Sequence, residues 1–237
     1  MANFLKNLLS INPKFAPALA KTMLGSRNAN EADGFAAFCT EKALEFTTDW
    51  ADKNVPFIAP IIRRFAKGRA GVRYLEIGAY EGRNLAFMSW LNPAPLNVTV
   101  IDPWFDDALN PEEKYHAVEP RFHRNINKMK FENVRIEKGF STYILPEMLK
   151  AGTEFDLIYV DGSHTAWAVN LDLAYCAALL PVGGMMILDD YWHDVSEIGG
   201  PGVKQAVDAF YEMLGAYFEV TAVYRQVVLT KTGDIPR

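Results

Sequence analysis

Five short segments set chemically active side chains directly after apolar runs. Glu76-Ile77-Gly78-Ala79-Tyr80-Glu81-Gly82 follows the first run and Asp102 the second. Gly139-Phe140-Ser141 follows the third, Asp161-Gly162-Ser163-His164 the fourth, and Asp189-Asp190-Tyr191 the fifth. Gly78 and Gly82, at a strand-to-helix turn, let a backbone approach a ligand closely, and the same pair serves a tight turn with a packing glycine. The dinucleotide fingerprint Gly-x-Gly-x-x-Gly is not met, because Glu76 and Glu81 stand where its first and third glycines belong. A pyrophosphate at a helix N-terminus is an anion, and two carboxylates beside it repel it. The segment therefore suits a ligand that lacks phosphate and carries a cation. A carboxylate at Asp102 can accept both hydroxyls of a ribose, or cap a turn. The ring of Phe140 and the hydroxyl of Ser141 can border an adenine.

Those side chains need a frame that brings strand ends together. Short apolar runs at residues 73–77, 97–101, 134–138, 155–160 and 185–188 alternate with helical patterns at 84–91, 111–129, 143–150 and 167–180. A helix at 203–214 and strands at 218–224 and 226–229 close the chain. Alternation of this kind predicts a parallel sheet with helices on both faces, and right-handed crossovers make it doubly wound. Ligands then sit beyond the carboxyl ends of the strands, where the five segments lie. Upstream, residues 26–67 read as helical, with Pro56 and Pro60 dividing the pattern into short helices. The expected organisation is an N-terminal helical extension at 1–67 and a Rossmann-like domain at 68–237.

Composition narrows the function classes. The chain has 237 residues, a formal net charge of −5, 50 % apolar and 22 % charged residues, which are globular values. An acidic balance argues against non-specific nucleic-acid binding. Cys39 and Cys176 are too few for a disulfide framework and suggest a reducing, cytoplasmic setting. No stretch reaches the ~20 apolar residues of a membrane span. In the basic N-terminal stretch, Lys6 and Asn7 interrupt the apolar residues, so a signal-peptide core is not expected. An amphipathic helix packing on its own domain, or on a second copy in a homo-oligomer, is the reading for that segment.

The strand-end residues, in this order, resemble the class I S-adenosylmethionine-dependent methyltransferases, over about residues 50–231. Phe155-Asp156-Leu157-Ile158-Tyr159-Val160-Asp161-Gly162-Ser163-His164, then Leu180-Pro181-Val182-Gly183-Gly184 and Asp189-Asp190-Tyr191, are similar to a bacterial subgroup. It includes metal-dependent O-methyltransferases acting on macrolide and aminocoumarin sugars. Leu75-Glu76-Ile77-Gly78-Ala79-Tyr80 with Gly82 also resembles the catechol O-methyltransferase pattern. The resemblance implies that Glu76 and Gly78 border the methionine part of the cofactor, with Tyr80 and Gly82 in the same loop. It implies the ribose at Asp102 and the adenine at Gly139 and Ser141. Asn84 falls where catechol enzymes use Ser for the cofactor carboxylate. Trp104 either packs on the cofactor or belongs to the core.

The same resemblance gives Asp161, Asp189 and Asp190 as metal ligands, and physical chemistry agrees. Three carboxylates at neighbouring strand ends repel one another, and a divalent cation removes that repulsion. Oxygen ligands favour a hard cation such as Mg²⁺, and no Cys/His cluster supports Zn²⁺. Without a cation the same acids would cap a loop and a helix. Of four histidines, His164 follows a proposed metal ligand by three residues and is the expected general base, with His193 second. Asp161 and His164 are thus the expected catalytic pair. The implied reaction moves a methyl from S-adenosylmethionine to a hydroxyl of a small molecule: a sugar, a catechol-like compound or a natural-product metabolite. Two adjacent acceptor oxygens would chelate the metal. A lid is expected at 193–202. The rivals are a metal-independent N- or C-methyltransferase, a nicotinamide oxidoreductase, and a non-catalytic S-adenosylmethionine-binding protein.

Overall fold

A computed structural model describes residues 10–24, 30–92, 94–105, 116–192 and 202–236. The strands are β1 (Arg73–Ile77), β2 (Asn97–Asp102), β3 (Asn133–Lys138), β4 (Leu157–Val160), β5 (Met185–Leu188), β6 (Phe218–Val223) and β7 (Val227–Lys231). They form a seven-stranded sheet in the order β3-β2-β1-β4-β5-β7-β6. β1 with β2, β2 with β3 and β4 with β5 are parallel, whereas β7 is antiparallel to both β5 and β6. Among the described residues there are eight α-helices: α1 (Ala16–Leu24), α2 (Asn30–Glu41), α3 (Val55–Ala66), α4 (Arg83–Leu91), α5 (Val118–Ile126), α6 (Ser141–Lys150), α7 (Ala166–Leu179) and α8 (Val203–Leu214). This is the doubly wound, mostly parallel fold that the alternation of runs predicts.

Two compact units make up the chain, Arg27–Glu147 in one and Met1–Ser26 with Met148–Arg237 in the other. In the first unit, α3 buries Val55, Ile58, Ala59 and Ile62, one stripe at helical spacing. Phe35 of α2 meets Phe87 and Trp90 of α4 at ring distances of 5.3 and 5.8 Å. The prolines do not divide the helix as expected. Pro56 sits in the first turn, where its missing N–H would be unpaired anyway, and α3 runs on through Pro60. The buried stripe offsets the one lost hydrogen bond. The helical pattern breaks instead after α2, where Ala43 turns left-handed at φ 50° and the Leu44 N–H caps the Cys39 carbonyl at 2.9 Å.

In the second unit the N-terminal segment packs on its own unit. Phe15 is fully buried and meets the rings of Tyr191 and Tyr211 at 5.7 and 4.9 Å. Thr22 of α1 accepts the N–H of Val223 at the end of β6 (3.4 Å). Helix α7 ends on a cation: the Lys231 ammonium donates to the carbonyls of Ala177 (2.9 Å) and Leu180 (2.6 Å), which suits the negative end of a helix. Among the described residues no helix is long and apolar enough to cross a membrane.

Candidate functional site

The carboxyl ends of β1, β2 and β3 form one set of side chains. Glu76, the fourth residue of β1, is fully buried. Its Oε2 accepts from the Tyr74 hydroxyl (2.6 Å) and the Asn84 amide (3.3 Å), and that amide also donates to Tyr74 (3.0 Å). Its Oε1 is buried without a hydrogen-bond partner in the structure. Burial pushes the Glu76 carboxyl up to about 8, against the pull of Tyr74 and Asn84. A buried acceptor with nothing to accept calls for a donor from outside, preferably a cation. Asn84 thus spends its two N–H groups on Tyr74 and Glu76. In this arrangement Asn84 helps to hold Glu76.

The loop after β1 is held in an unusual shape. Gly78 and Gly82 have φ of 85° and 79°, and Tyr80 between them has φ 51°. A bulky residue in that region costs ~1–2 kcal/mol and must be held from outside. The Tyr80 N–H donates to Asp102 (2.9 Å), its carbonyl accepts from the Trp104 indole (2.9 Å), and Trp50 stacks on its ring at 5.3 Å. Asp102 is buried, and its second oxygen accepts the Trp104 N–H (2.8 Å). Burial raises its pKa although these backbone bonds oppose that. Asp102 therefore locks the loop, held by the N–H groups of Tyr80, Trp104 and Ala79. Trp104 is 5 % exposed and lies 4.7 Å from the Phe122 ring, so of its two expected places it takes the core. The Gly139 N–H donates to the Asp102 carbonyl (3.0 Å), and Ser141 opens α6.

Glu81 departs from its expected part. It is 1 % exposed, and Arg121 (2.5 Å), the Thr47 hydroxyl (2.8 Å) and the Thr47 N–H (2.7 Å) all donate to it. Its charge is spent on an internal ion pair with α5, so Glu76 alone supplies the carboxylate argument against phosphate. Arg121 and Thr47 lie 40 and 34 residues away in sequence, and nothing in their spacing announced the pairing.

A second set lies at the ends of β4 and β5. His164 Nε2 is 3.0 Å from Asp190 Oδ2 and 3.9 Å from Asp161 Oδ1, and all three side chains are partly exposed. One ligand atom from each of Asp161, His164 and Asp190 lies within 4.8 Å of the others. Asp190 has φ 54°, which a short polar residue tolerates. Asp189 is not in that cluster. It accepts the Tyr159 hydroxyl on one oxygen and the Asp190 N–H on the other (2.7 Å). Burial and the neighbouring Asp190 charge raise its pKa. An imidazole between two carboxylates, with a third carboxylate behind, is a donor set that a divalent cation fits. Of the expected ligands, Asp161 and Asp190 come together with His164, and Asp189 stands beside them. Tyr159 and Gln226, whose amide donates to Tyr159 at 2.5 Å, escaped the sequence reading. Tyr159 lies two residues before Asp161 on β4, a spacing that could have flagged it; Gln226 gave no signal. His193 and the lid expected at 193–202 lie outside the described residues, save Gly202.

Residues 75–191 match a family described as a methyltransferase domain. Sequence comparison with curated proteins returns no match. Among solved structures the chain resembles the MycE methyltransferase of mycinamycin biosynthesis in complex with Mg and SAH, with a TM-score of 0.56 at 18 % identity. That likeness covers 90 % of this chain and 58 % of the other, so the chain spans little more than half the length of MycE. It also resembles a Bacillus cereus O-methyltransferase in complex with SAH, with a TM-score of 0.55 at 14 % identity, covering 92 % of this chain and 98 % of that one. A third likeness is to TomG, an O-methyltransferase of tomaymycin synthesis from Streptomyces achromogenes, with a TM-score of 0.53 at 18 % identity, covering 92 % and 97 %. At such identities these likenesses establish the fold.

Proposed function

Residues 75–191 match a family described as a methyltransferase domain, and on that premise we propose that the protein is an S-adenosylmethionine-dependent O-methyltransferase of the class I fold. It acts on a hydroxyl of a small molecule and uses a divalent cation, Mg²⁺ or a similar hard ion. The single observation that carries the cofactor is Glu76: fully buried, with one oxygen held by Tyr74 and Asn84 and the other without a partner. The ammonium of the methionine part supplies the missing donor and the missing charge. A charge-assisted hydrogen bond in so dry a place is a strong one.

The remaining roles follow from the side chains. Asp102 accepts from the ribose, and Gly78, Tyr80 and Gly82 shape the loop beside the cofactor. Gly139 and Ser141 border the adenine. When bound, S-adenosylmethionine supplies a methyl already activated on a sulfonium, so the protein mainly aligns the reacting groups. Asp161, Asp189 and Asp190 would hold the cation, which when bound lowers the pKa of an acceptor hydroxyl. His164 takes the acceptor proton at its imidazole, and the carboxylates of Asp161 and Asp190 beside Nε2 stabilise the imidazolium that results. The complex of MycE with Mg, SAH and mycinamycin VI supports an acceptor of the natural-product kind.

A second reading rests on the His164 distances: the imidazole is itself a metal ligand, with Asp161 and Asp190. Cation binding by His164→Ala separates the two. Loss of binding makes His164 a ligand, whereas retained binding with lost turnover makes it the base. The functional proposal is tested with methyl-labelled S-adenosylmethionine, a panel of diols, catechols and glycosides, and Mg²⁺ or EDTA. Cation-dependent label on an acceptor oxygen is expected. Label on nitrogen or carbon, or full turnover in EDTA, contradicts it.

A further inference from the structure

The chain holds a hydrogen-bonded relay behind its acidic cluster. Gln226 lies in the turn between β6 and β7 and is 3 % exposed, and Tyr159 of β4 is 2 % exposed. The Gln226 amide donates to the Tyr159 oxygen (2.5 Å), and the Tyr159 hydroxyl donates to Asp189 Oδ2. Strand register explains why three residues so far apart in sequence meet. Leu188 pairs with Val227 across the antiparallel β5–β7 ladder, so one step further sets Asp189 opposite Gln226. Tyr159 pairs with Ile187 across the parallel β4–β5 ladder, and Ile187 shares a face with Asp189, two residues on.

The direction of the relay is fixed by proton count. A tyrosine hydroxyl has one proton, and an ionised carboxylate can only accept. That proton goes to Asp189, so the Tyr159 oxygen must be an acceptor towards Gln226, and Gln226 must present its N–H₂. The other Asp189 oxygen accepts the Asp190 N–H (2.7 Å). Both oxygens are thus pinned, and Gln226 adds a side-chain hydrogen bond of its own to the Asp189 carboxylate.

We infer that Tyr159 and Gln226 are positioning residues for the divalent cation: they hold the Asp189 carboxylate, whose other oxygen accepts the Asp190 N–H, and so set Asp190 in the cluster it forms with Asp161 and His164. This rests on the metal centre proposed above. Groups that orient a metal-binding carboxylate typically change metal affinity by 10–100-fold when removed. Neither residue touches the acceptor or the methyl donor in this role.

The experiment is a calorimetric titration of the full chain with Mn²⁺, without acceptor, paired with a titration with S-adenosylhomocysteine. Tyr159→Phe removes one oxygen and keeps the ring. It is expected to weaken Mn²⁺ binding about 10–100-fold and to leave S-adenosylhomocysteine binding unchanged. Gln226→Glu keeps the shape but replaces a donor by a carboxylate that competes with Asp189 for the tyrosine proton. It is expected to weaken Mn²⁺ binding in the same direction. In the double variant the two losses should not add, because Gln226 and Tyr159 bond each other and hold the same carboxylate. Wild-type affinity for Mn²⁺ in Gln226→Glu, or in a folded Tyr159→Phe, overturns the inference. Additive losses overturn the relay. Failure of the wild type to bind any divalent cation overturns the metal centre itself, and this role with it.

Discussion

Glu76 is buried for a reason that its own neighbours do not supply. Tyr74 and Asn84 together satisfy one oxygen, and burial still holds the carboxyl near 8. Below that pH the ligand-free protein keeps Glu76 protonated, whereas a bound ammonium favours the ionised form. Binding must therefore release a proton, and affinity for S-adenosylhomocysteine should rise with pH, approaching tenfold per unit between about pH 6 and 7.5. Glu76→Gln should abolish that slope and most of the affinity, both read by calorimetry. The same shift acts on stability. An acid whose pKa is raised by folding stabilises the native state at low pH and loses that advantage as pH climbs from about 4.5 to about 8. Glu76→Gln should then melt above the wild type at about pH 8.5 and close to it at about pH 5, a stability gain bought with lost function. For His164, replacement by Ala should lower kcat by roughly 10²–10⁴-fold, the usual weight of a general base, with Mn²⁺ affinity retained.

At the scale of elements, the loop between β1 and α4 is strained and over-determined. Tyr80 is left-handed, and Asp102, Trp104 and Trp50 hold it there. Gly82 is left-handed too, and a Cβ on it would meet the Phe122 ring at 3.2 Å. Gly82→Ala should cost about 1–3 kcal/mol in urea denaturation, from backbone strain and that contact together. One residue away, Arg121 reaches back from α5 to neutralise buried Glu81. Arg121→Met leaves that carboxylate buried and unpaired and should destabilise the protein by about 3–5 kcal/mol in the same assay. The elements themselves were legible in the sequence. Strands β1 and β5 and helix α8 keep their expected bounds, because short apolar runs between turn residues have few other uses in a doubly wound sheet. Pro60 was misleading, since its cost is local while the stripe from Val55 to Ile62 spans the whole helix. Glu81 was misread as ligand-facing for a related reason: sequence places a residue at a strand end but does not show which partner takes its charge.

For the whole molecule, the net charge of −5 divides into several kinds of acid. Glu81 is internally paired, Glu76 and Asp102 are buried beside a constrained loop, and Asp161, Asp189 and Asp190 stand at the ends of β4 and β5. The fold class and the position of these acids at strand ends could be read from the alternation of runs. The relay through Tyr159 and Gln226 could not, because it depends on the β5–β7 register, which brings residues 226 and 189 together only in the folded sheet. The last group should make native stability depend on divalent cations. At 100 times its Kd a cation bound only by the native state adds about 2.7 kcal/mol, raising Tm by several degrees, and EDTA should remove the gain. The most direct test of the central proposal is calorimetric titration of the wild-type chain and of Glu76→Gln with S-adenosylhomocysteine at near-neutral pH. Binding of one equivalent by the wild type, with net proton release, and its loss in Glu76→Gln is the predicted result. No binding by the wild type, or undiminished binding by Glu76→Gln, would contradict it.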